Sequence, residues 1–202
     1  MQQIDEQKLE SDPAARFQYL SEFIGFTSAD AAAIQSVAMY LGPMIPDLVD
    51  RTYQKLLSYD ATARHFIPRQ TGYFGPAPLD LTGISGSHPQ IQFRKEHLAK
   101  YLSTILGRTC DTKLVPYLDM VGKIHTPQAG CKDIDVPLVQ MNALMGYLSD
   151  MLIEVVLQLP LDQTSMAAAI RAFSKFLWIQ NDFITRHYYH STGSTNATQA
   201  TR

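Results

Sequence analysis

Along most of the chain the apolar residues return every third or fourth position and almost never every second, which constrains the fold more than any other feature. A helical period puts the apolar set on one stripe, whereas a half-buried strand needs alternation, and no Asn-Gly or Asp-Gly turn joins alternating runs. The sequence therefore predicts an all-α chain. Thr27, Ser28 and Asp30 open a helix that runs through Ala31-Ala32-Ala33-Ile34 to Leu41, where Gly42-Pro43 interrupts it. A second helix carries Leu48, Val49, Tyr53, Leu56 and Leu57, and a short turn over 60–66 follows. From 68 to 89, Gly72, Gly75, Gly83 and Gly86 alternate with Pro76 and Pro78 and the helical period is lost. This reads as a long loop, either a lid or a surface insertion.

Helix returns at Pro89, with Phe93, His97, Tyr101 and Leu102 on one face. Asp111 or Thr112 caps the next helix, which carries Leu114, Leu118 and Val121 and ends near His125. Two long helices, over about 137–159 and 162–189, close the chain, and the tight Pro160-Leu161-Asp162 connection makes them antiparallel neighbours. Leu144, Met145, Tyr147, Leu148, Met151, Leu152, Val155 and Val156 cover much of one, and Phe173, Phe176, Leu177, Trp178 and Phe183 much of the other. Helices apolar on two faces are buried on two sides, so a homodimer through these last two helices is expected.

With 202 residues, 46% hydrophobic and only 18% charged, the chain has enough apolar material for one well-filled domain. Residues 1–15 are expected as a flexible N-terminus, 16–190 as the globular domain and 191–202 as a disordered polar tail. Seventeen Lys and Arg against 19 Asp and Glu leave a net charge of −2, so nucleic acid and anionic lipid are not implied as partners. No stretch approaches the ~18 apolar residues of a membrane span, the polar start has no signal-peptide pattern, and two cysteines build no disulfide scaffold. A cytoplasmic location is expected.

Gly-x-Ser-x-Gly, His-Glu-x-x-His and Cys-x-x-Cys are all absent. Of the six histidines, His65, His88, His187 and His190 fall near helix ends or in loops, where solvation or carbonyl capping accounts for them. His125 differs, because it follows Val121 and Leu118 on an inward apolar face. A satisfied core or cap histidine fits that pattern. So does the proximal ligand of haem, since a porphyrin supplies the other four nitrogens and needs a single imidazole.

Val121-Gly122-Lys123-Ile124-His125-Thr126, followed by a polar turn and by Val136-Pro137 opening a long helix, resembles the proximal region of protoglobins and globin-coupled sensors. Asp50-Arg51-Thr52-Tyr53, with Phe66 thirteen residues beyond Tyr53, resembles their B helix and the turn after it. Gln92-Phe93-Arg94-Lys95-Glu96-His97 is similar to the start of their distal E helix. With Arg171-Ala172-Phe173 and Leu177-Trp178-Ile179-Gln180-Asn181-Asp182, it also resembles the fungal branch of single-domain globin-sensor proteins.

That resemblance implies a globin fold with an N-terminal extension and a long loop between the C and E helices. It implies haem b held by His125 and contacted by Tyr53, Phe66, Phe93, His97, Val121, Tyr147 and Met151. Tyr53 would donate its O–H to a polar gas ligand. His97 stands where such sequences tend to carry Phe, which leaves it as a hydrogen-bond donor, a sixth ligand, a proton carrier or a side chain turned away from the pocket. The function implied is binding of O2, NO or CO for sensing, scavenging or storage, any output passing to a separate protein. Two alternatives stay open: a haem enzyme (NO dioxygenase, peroxidase-like or biosynthetic catalyst), and a haem-free globin-fold interaction module.

Overall fold

The computed structural model describes residues 1–108, 110–129 and 131–192. Among these, ten α-helices follow one another and no strand occurs. They are α1 (Glu6–Ser11), α2 (Pro13–Ile24), α3 (Ser28–Ser36), α4 (Ala38–Leu41), α5 (Ile45–Leu57), α6 (Asp60–Ala63), α7 (Pro89–Gly107), α8 (Val115–Lys123), α9 (Leu138–Leu157) and α10 (Gln163–Thr192). No helix of the described residues is long and apolar enough to cross a membrane.

Local chemistry sets the helix starts. Asp12 accepts from the N–H groups of Ala14 (2.9 Å) and Ala15 (3.2 Å), ahead of Pro13 at a position that has no N–H to satisfy. Gly25 ends α2 at φ 71°, a left-handed backbone that glycine enters without strain. Asp162 opens α10 by accepting from Thr164 and Ser165 at 2.9 and 3.0 Å. Asp30 accepts from the Thr27 N–H at 2.8 Å and from Lys175 Nζ at 2.8 Å, which ties the start of α3 to α10.

The expected helix from Thr27 to Leu41 is in fact two, because the backbone at Val37 turns to φ −95°, ψ −2° between α3 and α4. The stretch 1–15, expected as a flexible terminus, carries α1 and the start of α2. Contacts to α10 hold it: Arg186 Nη2 donates to the Glu10 carbonyl at 2.9 Å, and Arg16, next along the chain, pairs with Asp182 through Nε (2.5 Å) and Nη2 (2.9 Å). The expected tail over 191–202 lies outside the described residues from 193 onward.

Helix α10 is the spine and packs against α9, α8 and α3, while α5 packs on α7. Phe17, Phe26, Phe173, Phe176 and Phe183 build the main core, with Phe17 and Phe183 ring centroids 6.5 Å apart. A smaller cluster of Ile45, Val49, Tyr53, Phe66 and Ile91 fills the space between α5 and α7. The long loop is pinned at its root by Gln90, fully buried, which donates to the carbonyls of Phe66 (2.7 Å) and Pro68 (3.1 Å).

His187 overturns the reading of a solvated helix-end histidine. It is buried in α10, with Nε2 3.1 Å from Asp119 Oδ1 on α8, and Arg186 reaches the same oxygen at 2.9 Å. Burial lowers its pKa by more than Asp119 restores, and Arg186 adds to the lowering. A histidine whose folded pKa lies below its unfolded value binds fewer protons when folded, so stability rises with pH across that window. The protein is therefore expected to lose stability as pH falls below about 6.5, the ordinary histidine value. Thermal melting of wild type and His187→Gln between pH 7.5 and 5 checks this, and an equal slope for both would remove His187 as the cause.

Candidate functional site

Helices α5, α7, α8, α9 and α10 enclose a cavity of about 340 Å³, inside the ~300–1,000 Å³ range of cofactor and ligand pockets. Its walls are mostly apolar. Leu48, Thr52, Tyr53 and Leu56 come from α5, His65 and Phe66 from the turn after α6, and Arg94, His97, Leu98, Tyr101 and Leu102 from α7. Tyr117, Met120, Val121 and Ile124 lead to His125, and Met141, Leu144, Met145, Leu148, Met151 and Leu152 form the α9 wall. Leu177, Gln180 and Ile184 come from α10, and the polar side chains of Thr62, Gln70, Lys100 and Gln140 also line the cavity.

His125 lies just past the end of α8, where the chain turns and Val136 N–H donates to the His125 carbonyl at 3.0 Å. Its Nδ1 is 2.8 Å from the carbonyl oxygen of Val121, one helical turn earlier. A carbonyl only accepts, so Nδ1 carries the proton and Nε2 keeps its lone pair. Burial pushes the His125 pKa down, further than the Val121 hydrogen bond raises it, so the ring is neutral at pH 7. A neutral imidazole anchored through one nitrogen, with a lone pair on the other, is the form that ligates a metal.

His97 repeats the device on α7, with Nδ1 2.7 Å from the Phe93 carbonyl and the ring at the cavity's edge. Tyr53 is buried on α5, its ring 5.6 Å from that of Phe66, and burial drives its phenol pKa upward, so the hydroxyl stays protonated. Its hydroxyl makes no hydrogen bond within the described residues. Deeper in, the Tyr101 hydroxyl donates to Gln180 Oε1 at 3.2 Å, so this polar pair is already satisfied.

Of the side chains singled out from sequence, Tyr53, Phe66, His97, Val121, Met151 and His125 line this one cavity. Phe93 and Tyr147 are not among its lining residues. Phe93 packs on Tyr73 (5.4 Å) and on His97 (4.4 Å), while the Tyr147 hydroxyl donates to the Arg51 carbonyl at 3.5 Å. Sequence reasoning missed Arg94, which lies over the Phe66 ring at 4.9 Å. The charged run Arg94-Lys95-Glu96 reads as a solvated helix face, and only the i, i+3 spacing to His97 hints that Arg94 shares the inner one.

The sequence profile of the protoglobin family matches residues 13–193. The chain belongs to the protoglobin family. Its fold is that of the globin domain of a Geobacter sulfurreducens globin-coupled sensor, with a TM-score of 0.64 over 85% of this chain and 96% of that one. Sequence identity is 18%, so that likeness speaks for the fold alone. No curated protein matches the chain.

Membership of the globins implies haem, and the cavity of this protoglobin fits it. Among the described residues no three His, Cys, Asp or Glu side chains converge on a metal-sized site, so His125 suits a metal that brings its other ligands with it. The apolar walls suit a flat macrocycle. The buried Arg94 Nε has no hydrogen-bond partner within the described residues, while Nη2 reaches the carbonyl oxygens of His65 and Pro68.

Proposed function

We propose that this protoglobin holds haem b through His125 Nε2 and binds a diatomic gas (O2, NO or CO) for sensing, scavenging or storage. The observation that carries the reading is the 2.8 Å Nδ1 bond to Val121, which fixes His125 in the ligating tautomer at the wall of an apolar cavity. Haem, when bound, would supply the iron that takes the gas. The surrounding residues set the environment of that ligand. Tyr53 keeps a protonated hydroxyl, a donor for a polar ligand held in a mostly apolar pocket. Leu98, Leu102, Leu148 and Met151 exclude water, which strengthens any such hydrogen bond. His97 keeps Nε2 free because its Nδ1 is committed to the Phe93 carbonyl.

Titration of the purified protein with haem tests the reading. A Soret band should develop at one haem per chain, with a CO-bound ferrous spectrum of an imidazole-ligated iron. Absence of any saturable Soret change would leave the haem-free interaction module instead. In Tyr53→Phe, loss of one hydrogen bond should speed O2 dissociation by about 3–10-fold while leaving CO release nearly unchanged. A haem enzyme is the second reading, favoured by the free Nε2 of His97 as a proton carrier. Peroxide turnover by wild type that disappears in His97→Leu would select it.

The homodimer through α9 and α10 is likewise our proposal, resting on Val139, Leu157 and Trp178, exposed by 67%, 54% and 66%. Both cysteines are unpaired, consistent with a reducing, cytoplasmic setting.

A further inference from the structure

The last turns of α10 meet the helix that carries His125, and the turn after it, on both sides of that residue. Asp119 precedes His125 on α8, and its Oδ1 is 3.1 Å from His187 Nε2 and 2.9 Å from Arg186 Nη1. A carboxylate only accepts, so His187 Nε2 carries the proton and donates. Gln128 follows His125, and its Nε2 donates to the His187 carbonyl at 2.7 Å. Between the two, Gly122 passes so close to α10 that an added Cβ would stand 3.0 Å from His187 Cδ2. Residue 187 therefore touches the α8 segment through its ring edge, its ring face and its own backbone carbonyl, and its side chain is buried.

The Val121 bond fixes the His125 ring to its own helix, which settles the tautomer and leaves open where α8 stands across the cavity. The turn beyond α8 is closed on itself. Thr126 N–H and Oγ1 both donate to the Lys123 carbonyl, at 3.1 and 2.9 Å, and Gln128 N–H donates to Thr126 Oγ1 at 3.4 Å. A turn bonded in this way moves as a unit, so a tether at Gln128 acts on His125. Without tethers the end of a helix is among the first parts of a fold to open. We propose that His187 is a positioning residue for His125, clamping α8 and its following turn on both sides of the imidazole so that His125 Nε2 keeps one place in the cavity wall. What that nitrogen binds rests on the haem reading above, whereas how it is held rests on the contacts to α10 alone.

The test compares four full-length variants with wild type. Gln128→Met keeps the length of the side chain and loses the donor; His187→Phe keeps a ring and loses the donor; His187→Gln restores an N–H. Lys175→Met is the control, because the Lys175 bonds go to Gly25 and Asp30 and not to α8. In the protein without haem, exchange of the Val136 amide, which donates to the His125 carbonyl, should speed about 10-fold in Gln128→Met and His187→Phe relative to the amides of α5. With haem added, both variants should bind it about 10-fold more weakly, the lower end of the ~10–100-fold cost of losing a group that supports a metal ligand. Both should also shift or broaden the iron–imidazole stretching band of the ferrous protein, and His187→Gln should bring it back towards wild type. Lys175→Met should lower Tm and leave that band in place. An unmoved band in both Gln128→Met and His187→Phe overturns the proposal, and so does an equal shift in Lys175→Met, which marks general loosening. If His187→Phe does not fold, Gln128→Met decides, since it leaves the His187 ring and Asp119 untouched. If wild type binds no haem, the haem reading fails, and Val136 exchange alone decides: faster exchange upholds the clamp and unchanged exchange overturns it.

Discussion

Replacement of His125 by alanine is expected to lower haem affinity on the order of 100-fold or more and to abolish the spectrum of an imidazole-ligated ferrous iron. The loss should exceed that of removing a group that only hydrogen-bonds a metal ligand, which alone costs ~10–100-fold, because here the ligating nitrogen itself goes. The fold has little reason to suffer. His125 makes one side-chain hydrogen bond, back to Val121 of its own turn, and bridges no distant elements. Free imidazole added at millimolar concentration should occupy the space left by the ring and restore the spectrum. Rescue separates loss of the ligand from loss of the fold, and a His125→Ala protein with an unchanged spectrum would dismiss His125 as the iron ligand.

The second large effect is on stability and falls three residues earlier. Gly122 lies where α8 crosses α10, and an added Cβ would press into the Phe183 carbonyl oxygen and stand 3.0 Å from both Ile184 Cα and His187 Cδ2. Two of these three atoms belong to backbone, which cannot swing away as a side-chain tip does. Gly122→Ala should therefore destabilise by about 2–3 kcal/mol, the upper part of the range for overpacking, and lower Tm by about 5–10 °C. Because α8 leads directly into His125, haem affinity should fall with it. Gly146 on α9 is the control: nothing lies within 4 Å of its virtual Cβ. There alanine should stabilise by roughly 0.5–1 kcal/mol through helix propensity alone. Chemical denaturation of the two variants side by side tests both signs.

The features readable in the sequence are those whose physics is local. Helices α5, α7, α9 and α10 announce themselves because their start signals and apolar spacing act within a few residues, as Asp162 does at the head of α10. His125 and Tyr53 stand out on apolar helix faces, and the structure brings both to one cavity. Side chains whose role depends on a partner far along the chain were not readable. His187 looks like a helix-end histidine until α8 delivers Asp119 to it, and residues 1–15 look like a loose end until α10 delivers Arg186. Arg94 sits in a charged run, and only the packing of α7 against the turn at Phe66 turns it inward.

The breadth of apolar surface on the last two helices shows the same division. The sequence alone requires that α9 bury more than a stripe, which the subunit interface was expected to explain. In the fold, Val155 and Val156 join the main core while Met141, Leu144, Met145 and Leu148 face the cavity, so most of the surplus is used within one chain. Sequence by itself determined an all-α chain, the order of its helices and a lone histidine at the end of an apolar face, because period, capping and composition act over one or two turns. Tertiary structure decided which faces meet. Only the crossing of α8 with α10 at Gly122, and the closure of five helices round a cavity, place the free nitrogen of His125 and the side chain of Tyr53 in one enclosed volume.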